Sequence, residues 1–270
     1  MKRRNYLISI IIAVMIITSS TNVFAVDNNS WTDATKTSQG QSEKWSEWCD
    51  KWEKIKNSPT QMSLSPGSDE TQLNFAWYSK TCEIKPNLKI SDNPEMKNST
   101  ALQVTTTNAT EGFKSNKATA TDLKPNTRYY YSYTINGKWT KPTLYQTKNS
   151  KRYSFAFVGD PQIGASWRCM PKDLSEDEIQ DRAVRNDSFN WNNTIESIIK
   201  RDCNISFIIS SGDQIQSRDK GKSNALYNKN EIEYSGYLSP SLLKSMPVAT
   251  TIGNHDSPSG NYSYHFNTPN

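Results

Sequence analysis

The sequence predicts an all-β sandwich followed by an α/β domain. Between positions 58 and 148, short runs of alternating apolar residues are separated by turn residues, a pattern typical of β-sandwiches. After position 152, three apolar segments alternate with helical patterns, which is typical of parallel strands joined by crossover helices. The chain of 270 residues is long enough for both domains. We therefore expect a sandwich over 58–148 and an α/β domain over 152–270.

The first 25 residues have the features of a secretory signal peptide. A basic start at Lys2, Arg3 and Arg4 precedes an almost wholly apolar run over 7–17, and Ala25 ends a cleavage-site pattern. An uncleaved anchor is the alternative, although the apolar run is short beside the roughly 20 residues of a membrane span. No later apolar run is long enough to cross a bilayer. We predict export, to the extracellular space or the cell envelope.

The charge pattern argues against a nucleic-acid partner. Removal of the signal peptide lowers the formal net charge from +5 to about +2, because that segment holds three basic residues and no acid. The remaining charges of both signs are interspersed along the chain. The mature protein therefore carries no basic patch signal for binding a phosphate backbone.

Four cysteines leave the redox state open. Pairs Cys49–Cys82 and Cys169–Cys203 would each stay within one region of the chain, and an exported protein can oxidise them. Free buried thiols fit the sequence equally well. No C-x-x-C spacing is present, so a structural zinc site of that type is unsupported.

Residues 26–57 combine a polar lead-in with a tryptophan-rich amphipathic helix. Trp45, Trp48, Trp52 and Ile55 recur at helical spacing. One interpretation is an aromatic stripe that binds a ligand such as a carbohydrate. The periodicity favours the other interpretation, in which the tryptophans pack on the next domain.

Turn residues and apolar patterns set the expected elements. Asn136 and Gly137 mark a hairpin turn, since both tolerate positive φ. The many tyrosines of the sandwich are expected to pack across strands. A long polar loop is expected over 164–185. The expected strands are 61–64, 73–80, 101–107, 117–121, 128–135, 139–146, 153–158, 205–209 and 247–252, and the expected helices lie around 189–199 and 229–244.

Polar side chains follow each of the three strands of the α/β domain. The strands end in FVGD at Asp160, SSGD at Asp213 and TIGNHD at Asn254 and His255. Parallel strands bring these ends to one edge of the sheet, where α/β folds bind ligands. The alternative is that each residue only makes a turn or caps a helix. Because carboxylate and amide oxygens with an imidazole suit a hydrolytic metal centre, we predict a metal site at this edge.

These motifs resemble a known family. GDPQ, GDQI and GNHD are similar to the first three signature blocks of the calcineurin-like metallophosphoesterases, and DLKPNTRYYYSYTINGKW before FAFVGDPQ resembles the fibronectin-type N-terminal domain of purple acid phosphatases. The resemblance covers about 59–270. It implies hydrolysis of small phosphate esters by a hydroxide that two metal ions (iron, manganese or zinc) activate.

The resemblance also implies a role for each residue. Asp160 would bind the first metal, Asp213 would bridge both, and Asn254 would bind the second. His255 would serve as proton donor or charge stabiliser at the leaving oxygen, with Asp256 orienting its imidazole.

Three departures from the family pattern qualify this assignment. Gln162 stands where the family usually has a histidine, and its amide oxygen would ligate a metal or hold a metal-bound water. Gln216 replaces the tyrosine of purple members, so the tyrosinate colour should be missing and ferric iron is not required. The later histidine blocks are missing, since only His255 and His265 occur. We interpret His265 as a loop or substrate-edge residue, with a packing role favoured, and expect one face of the α/β sheet to lack its partner layer.

The leading hypothesis is an exported metal-dependent phosphoesterase. The alternative is a truncated or degenerate, non-catalytic binding module of the cell envelope, acting through the sandwich and the tryptophan-rich helix. Tightly bound metal would favour the enzyme.

Overall fold

The computed structural model describes residues 42–58, 60–83, 85–110, 112–216, 225–258 and 260–269. The predicted signal peptide and the polar lead-in up to residue 41 lie outside these ranges. Within them, no helix is both long and apolar enough to cross a membrane.

Two antiparallel sheets form the N-terminal part of the described chain. The first has the order β1-β2-β6-β5, and the second has the order β4-β3-β7-β8, with β9 also pairing with β7. Their strands are β1 (Ser63–Pro66), β2 (Leu73–Lys80), β3 (Leu88–Ser91), β4 (Thr100–Leu102), β5 (Thr105–Asn108), β6 (Phe113–Ala120), β7 (Arg128–Ile135), β8 (Lys138–Trp139) and β9 (Thr143–Gln146).

Aromatic contacts join the two sheets through a shared core. Phe75 meets Tyr131 edge-to-face with 5.1 Å between ring centroids, and Trp77 meets Tyr133 at 5.7 Å. All four side chains are buried. Edge-to-face pairs add to the stabilisation that apolar burial provides. The sequence predicts that exposed tyrosines of the sandwich pack rather than bind a ligand; Tyr131 and Tyr133 do pack, but they are buried in the core.

The strand predictions hold for the long strands and fail where the chain changes sheet. The single strand expected over 101–107 is two strands, because the chain passes from the second sheet to the first between β4 and β5. Leu102 and Val104 both pack against the shared core at this crossing. The strand expected over 139–146 is likewise divided into β8 and β9. The hairpin turn is confirmed, with φ of 51° at Asn136 and 75° at Gly137.

A three-stranded parallel sheet follows, in the order β10 (Ser154–Val158), β11 (Ile205–Ser210), β12 (Val248–Thr250). Val158 is paired with Ser210, and Ser210 with Thr250, so the three strands end in register. The predicted parallel connectivity is confirmed. One face of this sheet leaves Phe155 and Phe157 about half or more exposed, at 49% and 67%, as expected for a face without a partner layer.

The helices are α1 (Ser42–Ile55), α2 (Glu176–Arg201), α3 (Ala225–Tyr237) and α4 (Asn261–His265), with 3-10 helices at Ala165–Cys169 and Ser241–Lys244. Helix α2 begins well before the expected position, because Ser175 and Glu178 form a capping box at its start. The long loop predicted over 164–185 is therefore wrong in its second half.

Helix α1 packs its tryptophans against α2. The Trp48 indole donates to the carbonyl oxygen of Arg185, and the Trp52 indole donates to Asp181, each at 2.8 Å. Trp45 meets Phe189 edge-to-face. The packing interpretation is confirmed, and the ligand-binding stripe is wrong because both hydrogen-bonded tryptophans are buried. The partner is the C-terminal part of the chain, although the sandwich comes next in sequence.

The structure forms neither of the two cysteine pairs that the sequence left open. Cys82, Cys169 and Cys203 are exposed thiols. The interpretation of the cysteines as buried thiols is therefore also wrong for these three.

Candidate metal centre

The loops after the three parallel strands are hydrogen-bonded to one another. The backbone N–H of Gln162 donates to the main-chain carbonyl oxygen of Asp213 at 2.9 Å, which joins the first two loops. The backbone N–H of His255 donates to Asp213 Oδ1 at 2.8 Å, which joins the third. Asp160, Gln162, Asp213, Asn254 and His255, called the strand-end site below, thus lie on three connected loops.

Three of these residues have a backbone conformation that is unusual for non-glycine residues. Their φ angles are 40° at Asp160, 37° at Gln162 and 50° at Asp213. Left-handed backbone of this kind costs free energy, and in proteins it concentrates at functional sites. Of the eight described non-glycine residues with positive φ, these three lie at the sheet edge that the sequence predicts as the site, and the other five lie between strands of the sandwich.

Asp213 lies at the middle of the site. Its side chain is buried, at 7% exposed. Oδ1 accepts the N–H of His255, and Oδ2 accepts the side-chain amide of Gln162 at 3.3 Å. Gly253 makes this close approach possible, because a Cβ there would lie 2.0 Å from Asp213 Oδ1.

His255 is oriented by the main chain of Gln216. The Nδ1 atom of His255 lies 2.7 Å from the Gln216 carbonyl oxygen. Because a carbonyl oxygen only accepts, Nδ1 carries the proton and Nε2 is the basic nitrogen. Sequence reasoning noted Gln216 only as the position of a missing tyrosine. The sole available signal was its place three residues after Asp213, in the same loop.

Asp256 does not orient the imidazole, contrary to the prediction. Its side chain is fully buried. Oδ2 accepts the backbone N–H groups of Gly253 at 3.0 Å and Gln214 at 3.3 Å, and Oδ1 accepts the hydroxyl of Tyr234 at 3.2 Å. Burial raises the pKa of Asp256, and these hydrogen bonds partly oppose the shift. Asp256 therefore joins the second and third loops through hydrogen bonds to their main chains.

The donor set decides which metal the site suits. Asp160 and Asn254 are exposed, and Gln162 is half-buried. With Asp213 they offer two carboxylates and two amides, the oxygen donors that hard divalent cations prefer. Among the described residues, no group of three or more histidine, cysteine, aspartate and glutamate side chains is placed to hold a metal ion. By chemical type, the four side chains suit one oxygen-liganded cation and are too few for two.

His265 has a structural role. It ends helix α4, is buried, and lies 2.8 Å from Glu231 through Nε2. The predicted place in a loop or at a substrate edge is wrong, and the favoured packing role is confirmed.

Comparison with known proteins finds a relative of the sandwich. Residues 59–156 match the family model described as purple acid phosphatase, N-terminal domain. The sandwich is thus similar to that domain. The predicted resemblance to the purple acid phosphatases is thereby confirmed.

A solved structure shows a similar fold. The purple acid phosphatase PPD1 from seeds of yellow lupin (Lupinus luteus) matches with 14% identity and a TM-score of 0.51, over 79% of this chain and 42% of that one. A structure of PhoD matches with 10% identity and a TM-score of 0.39, over 74% of this chain and 40% of that one. The chain thus spans less than half the length of either structure. No curated protein matches it significantly.

Proposed function

We propose that the protein is an exported, metal-dependent phosphoesterase that hydrolyses small phosphate esters. The observation that carries this proposal is the set of hydrogen bonds that ties the three strand-end loops to Asp213, with His255 alongside. The similarity of the sandwich to the purple acid phosphatase N-terminal domain and the lupin fold likeness support the same reaction class.

Asp160, Gln162, Asp213 and Asn254 would hold the metal. Bound there, iron, manganese or zinc would neutralise phosphoryl charge and lower the pKa of a water molecule. A second ion would share Asp213 and would need ligands beyond the four named. The side-chain oxygen of Gln162 would bind a metal ion more weakly than an imidazole nitrogen would. Because this ligand is an oxygen, the position favours ions that prefer oxygen.

His255 would handle the proton of the leaving group. The Gln216 carbonyl holds the Nδ1 proton, so Nε2 is the nitrogen that gains and gives up a proton at the substrate. A positioned acid of this kind contributes about 10²–10⁴-fold to a rate. Asp256 stays out of the reaction, since all its described contacts are with Gly253, Gln214 and Tyr234.

The test is hydrolysis of an aryl phosphate by the mature chain with added manganese, zinc or iron. Asp213→Ala and His255→Ala should each abolish most of the activity, and Asp92→Ala, at an exposed aspartate between β3 and β4 of the sandwich, should retain it. Activity that survives either of the first two changes would disprove the mechanism.

One of the two surfaces proposed for the non-catalytic binding module is excluded. Its proposed aromatic surface on α1 is not available, because Trp48 and Trp52 are buried against α2. No described feature of the sandwich favours this alternative.

A further inference from the structure

We propose that the sandwich positions the strand-end site through a buried cluster between the two parts of the chain. The cluster consists of Tyr78 from β2, Glu231 and Tyr234 from α3, and Asn261 and His265 from α4. All five side chains are buried. The relevance of this positioning to catalysis rests on the proposed function. The coupling between the sandwich and the strand-end loops can be measured without any enzyme activity.

Glu231 gathers donors from both parts of the molecule. Its Oε1 accepts the hydroxyl of Tyr78 at 3.1 Å and the side-chain amide of Asn261. Its Oε2 lies 2.8 Å from His265 Nε2. A buried carboxylate is costly unless it is fully hydrogen-bonded, so each of these three donors is needed. Burial and the neighbouring carboxylate raise the pKa of Tyr78, so its hydroxyl stays protonated and donates.

The His265 ring lies between two tyrosine rings. Its centroid is 4.4 Å from that of Tyr78, with the planes 19° apart, and 4.5 Å from that of Tyr234. Tyr78 belongs to the sandwich and Tyr234 to α3, so a shift of the sandwich moves the histidine and the second tyrosine with it. Packed interiors transmit such shifts because they leave few voids.

Tyr234 connects the cluster to the strand-end loops. Its hydroxyl donates to Asp256 Oδ1 at 3.2 Å. The other oxygen of Asp256 accepts the N–H groups of Gly253 and Gln214, the residues directly before Asn254 and directly after Asp213. The cluster therefore ends one residue away from two of the proposed metal ligands. Tyr78, Glu231 and Tyr234 are positioning residues for them.

The two histidines make the inference testable without metal or substrate. The chain contains only His255 and His265. Protein with isotope-labelled histidine therefore gives NMR signals from two imidazole rings. Tyr78→Phe removes one hydrogen bond and keeps the ring. We expect it to shift the distant His255 signal and to speed amide hydrogen exchange at Gly253 and Gln214 by about 2- to 30-fold, the usual range of coupling between sites.

Tyr129→Phe is the matched control. The Tyr129 hydroxyl accepts a hydrogen bond from the Lys124 amide within the sandwich and does not contact the cluster. This change should leave His255, Gly253 and Gln214 as they are in the wild type. In a Tyr234→Phe background, Tyr78→Phe should have little further effect on the loops, because the connection is already cut.

The outcomes separate this inference from the proposed function. Equal responses of the loops to Tyr78→Phe and Tyr129→Phe, or additive effects in the double variant, would overturn the positioning role. Selective coupling in a protein without phosphatase activity would support the positioning role and refute only the proposed function.

Discussion

The carbonyl oxygen of Gln216 lies 2.7 Å from Nδ1 of His255. This contact predicts the Nδ1–H tautomer for the neutral imidazole. The side-chain amide of Gln216 also lies 3.3 Å from the same nitrogen, and donation from that amide would require the opposite tautomer. Nitrogen-15 NMR distinguishes the two. Because the acceptor is main chain, Gln216→Ala should leave the tautomer unchanged, and an Nε2–H signal in the wild type would contradict this account.

The space beside Gly253 predicts a specific failure of Gly253→Ala. The new Cβ would lie 2.0 Å from Asp213 Oδ1 and 2.3 Å from its backbone nitrogen. We expect a loss of about 1–3 kcal/mol in the free energy of unfolding, typical of overpacking, together with weakened metal binding. Gly260→Ala is the control, because the nearest atom to its Cβ would be 3.5 Å away. Similar denaturation midpoints for the two variants would show that the close approach is unimportant.

Gln162→His should strengthen binding of zinc. The change restores the imidazole that the metallophosphoesterase pattern has at this position, and histidine tolerates the positive φ of 37° better than most residues. An imidazole suits zinc better than an amide does. Calorimetric titration with zinc should show tighter binding than in the wild type. Unchanged or weaker binding would place Gln162 outside the metal site.

Asp187 predicts a pH dependence of stability. It is half-buried on α2 and accepts the N–H groups of Gly164 at 2.8 Å and Ser166 at 3.1 Å on one oxygen. Burial raises the pKa of this carboxyl above 3.8, although the hydrogen bonds oppose the shift. A raised pKa favours the folded state at pH below 3.8, and this contribution is lost as the pH rises through the folded-state pKa.

Asp187→Asn keeps the oxygen that accepts both N–H groups and removes the titration. Urea denaturation of both proteins between about pH 3 and pH 7 checks the expectation. The free energy of unfolding of the variant should improve relative to the wild type as the pH rises. A difference that is constant with pH, or that moves in the opposite direction, would contradict the assignment.

The sequence predicted those features that follow from a local residue pattern. Asp160, Asp213 and His255 could be assigned to one edge because each follows a strand that ends in glycine and a polar residue, and parallel strands end together. The tryptophans of α1 could be assigned to a packed face, but their partner could not, because periodicity marks a buried face and leaves its partner unspecified.

Contacts that involve the main chain or distant side chains could not be predicted. The group that orients His255 is the main-chain carbonyl oxygen of residue 216. Every amino acid has this group, so the identity of the residue at that position gives no signal. Asp256 was assigned to its sequence neighbour His255, whereas the side chain that donates to it is Tyr234, 22 residues away. The crossing between sheets at Leu102 and Val104 was also missed, since both residues continue a strand-like pattern.

The most direct test of the central claim is a titration of the mature protein with manganese, followed by calorimetry or by electron paramagnetic resonance. We expect saturable binding by the wild type, with affinity at least about tenfold lower in Asp213→Asn and unchanged in Asp92→Asn, at an exposed aspartate of the sandwich. Absence of saturable binding by the wild type, or equal affinity in Asp213→Asn, would contradict a metal centre at the ends of the three parallel strands.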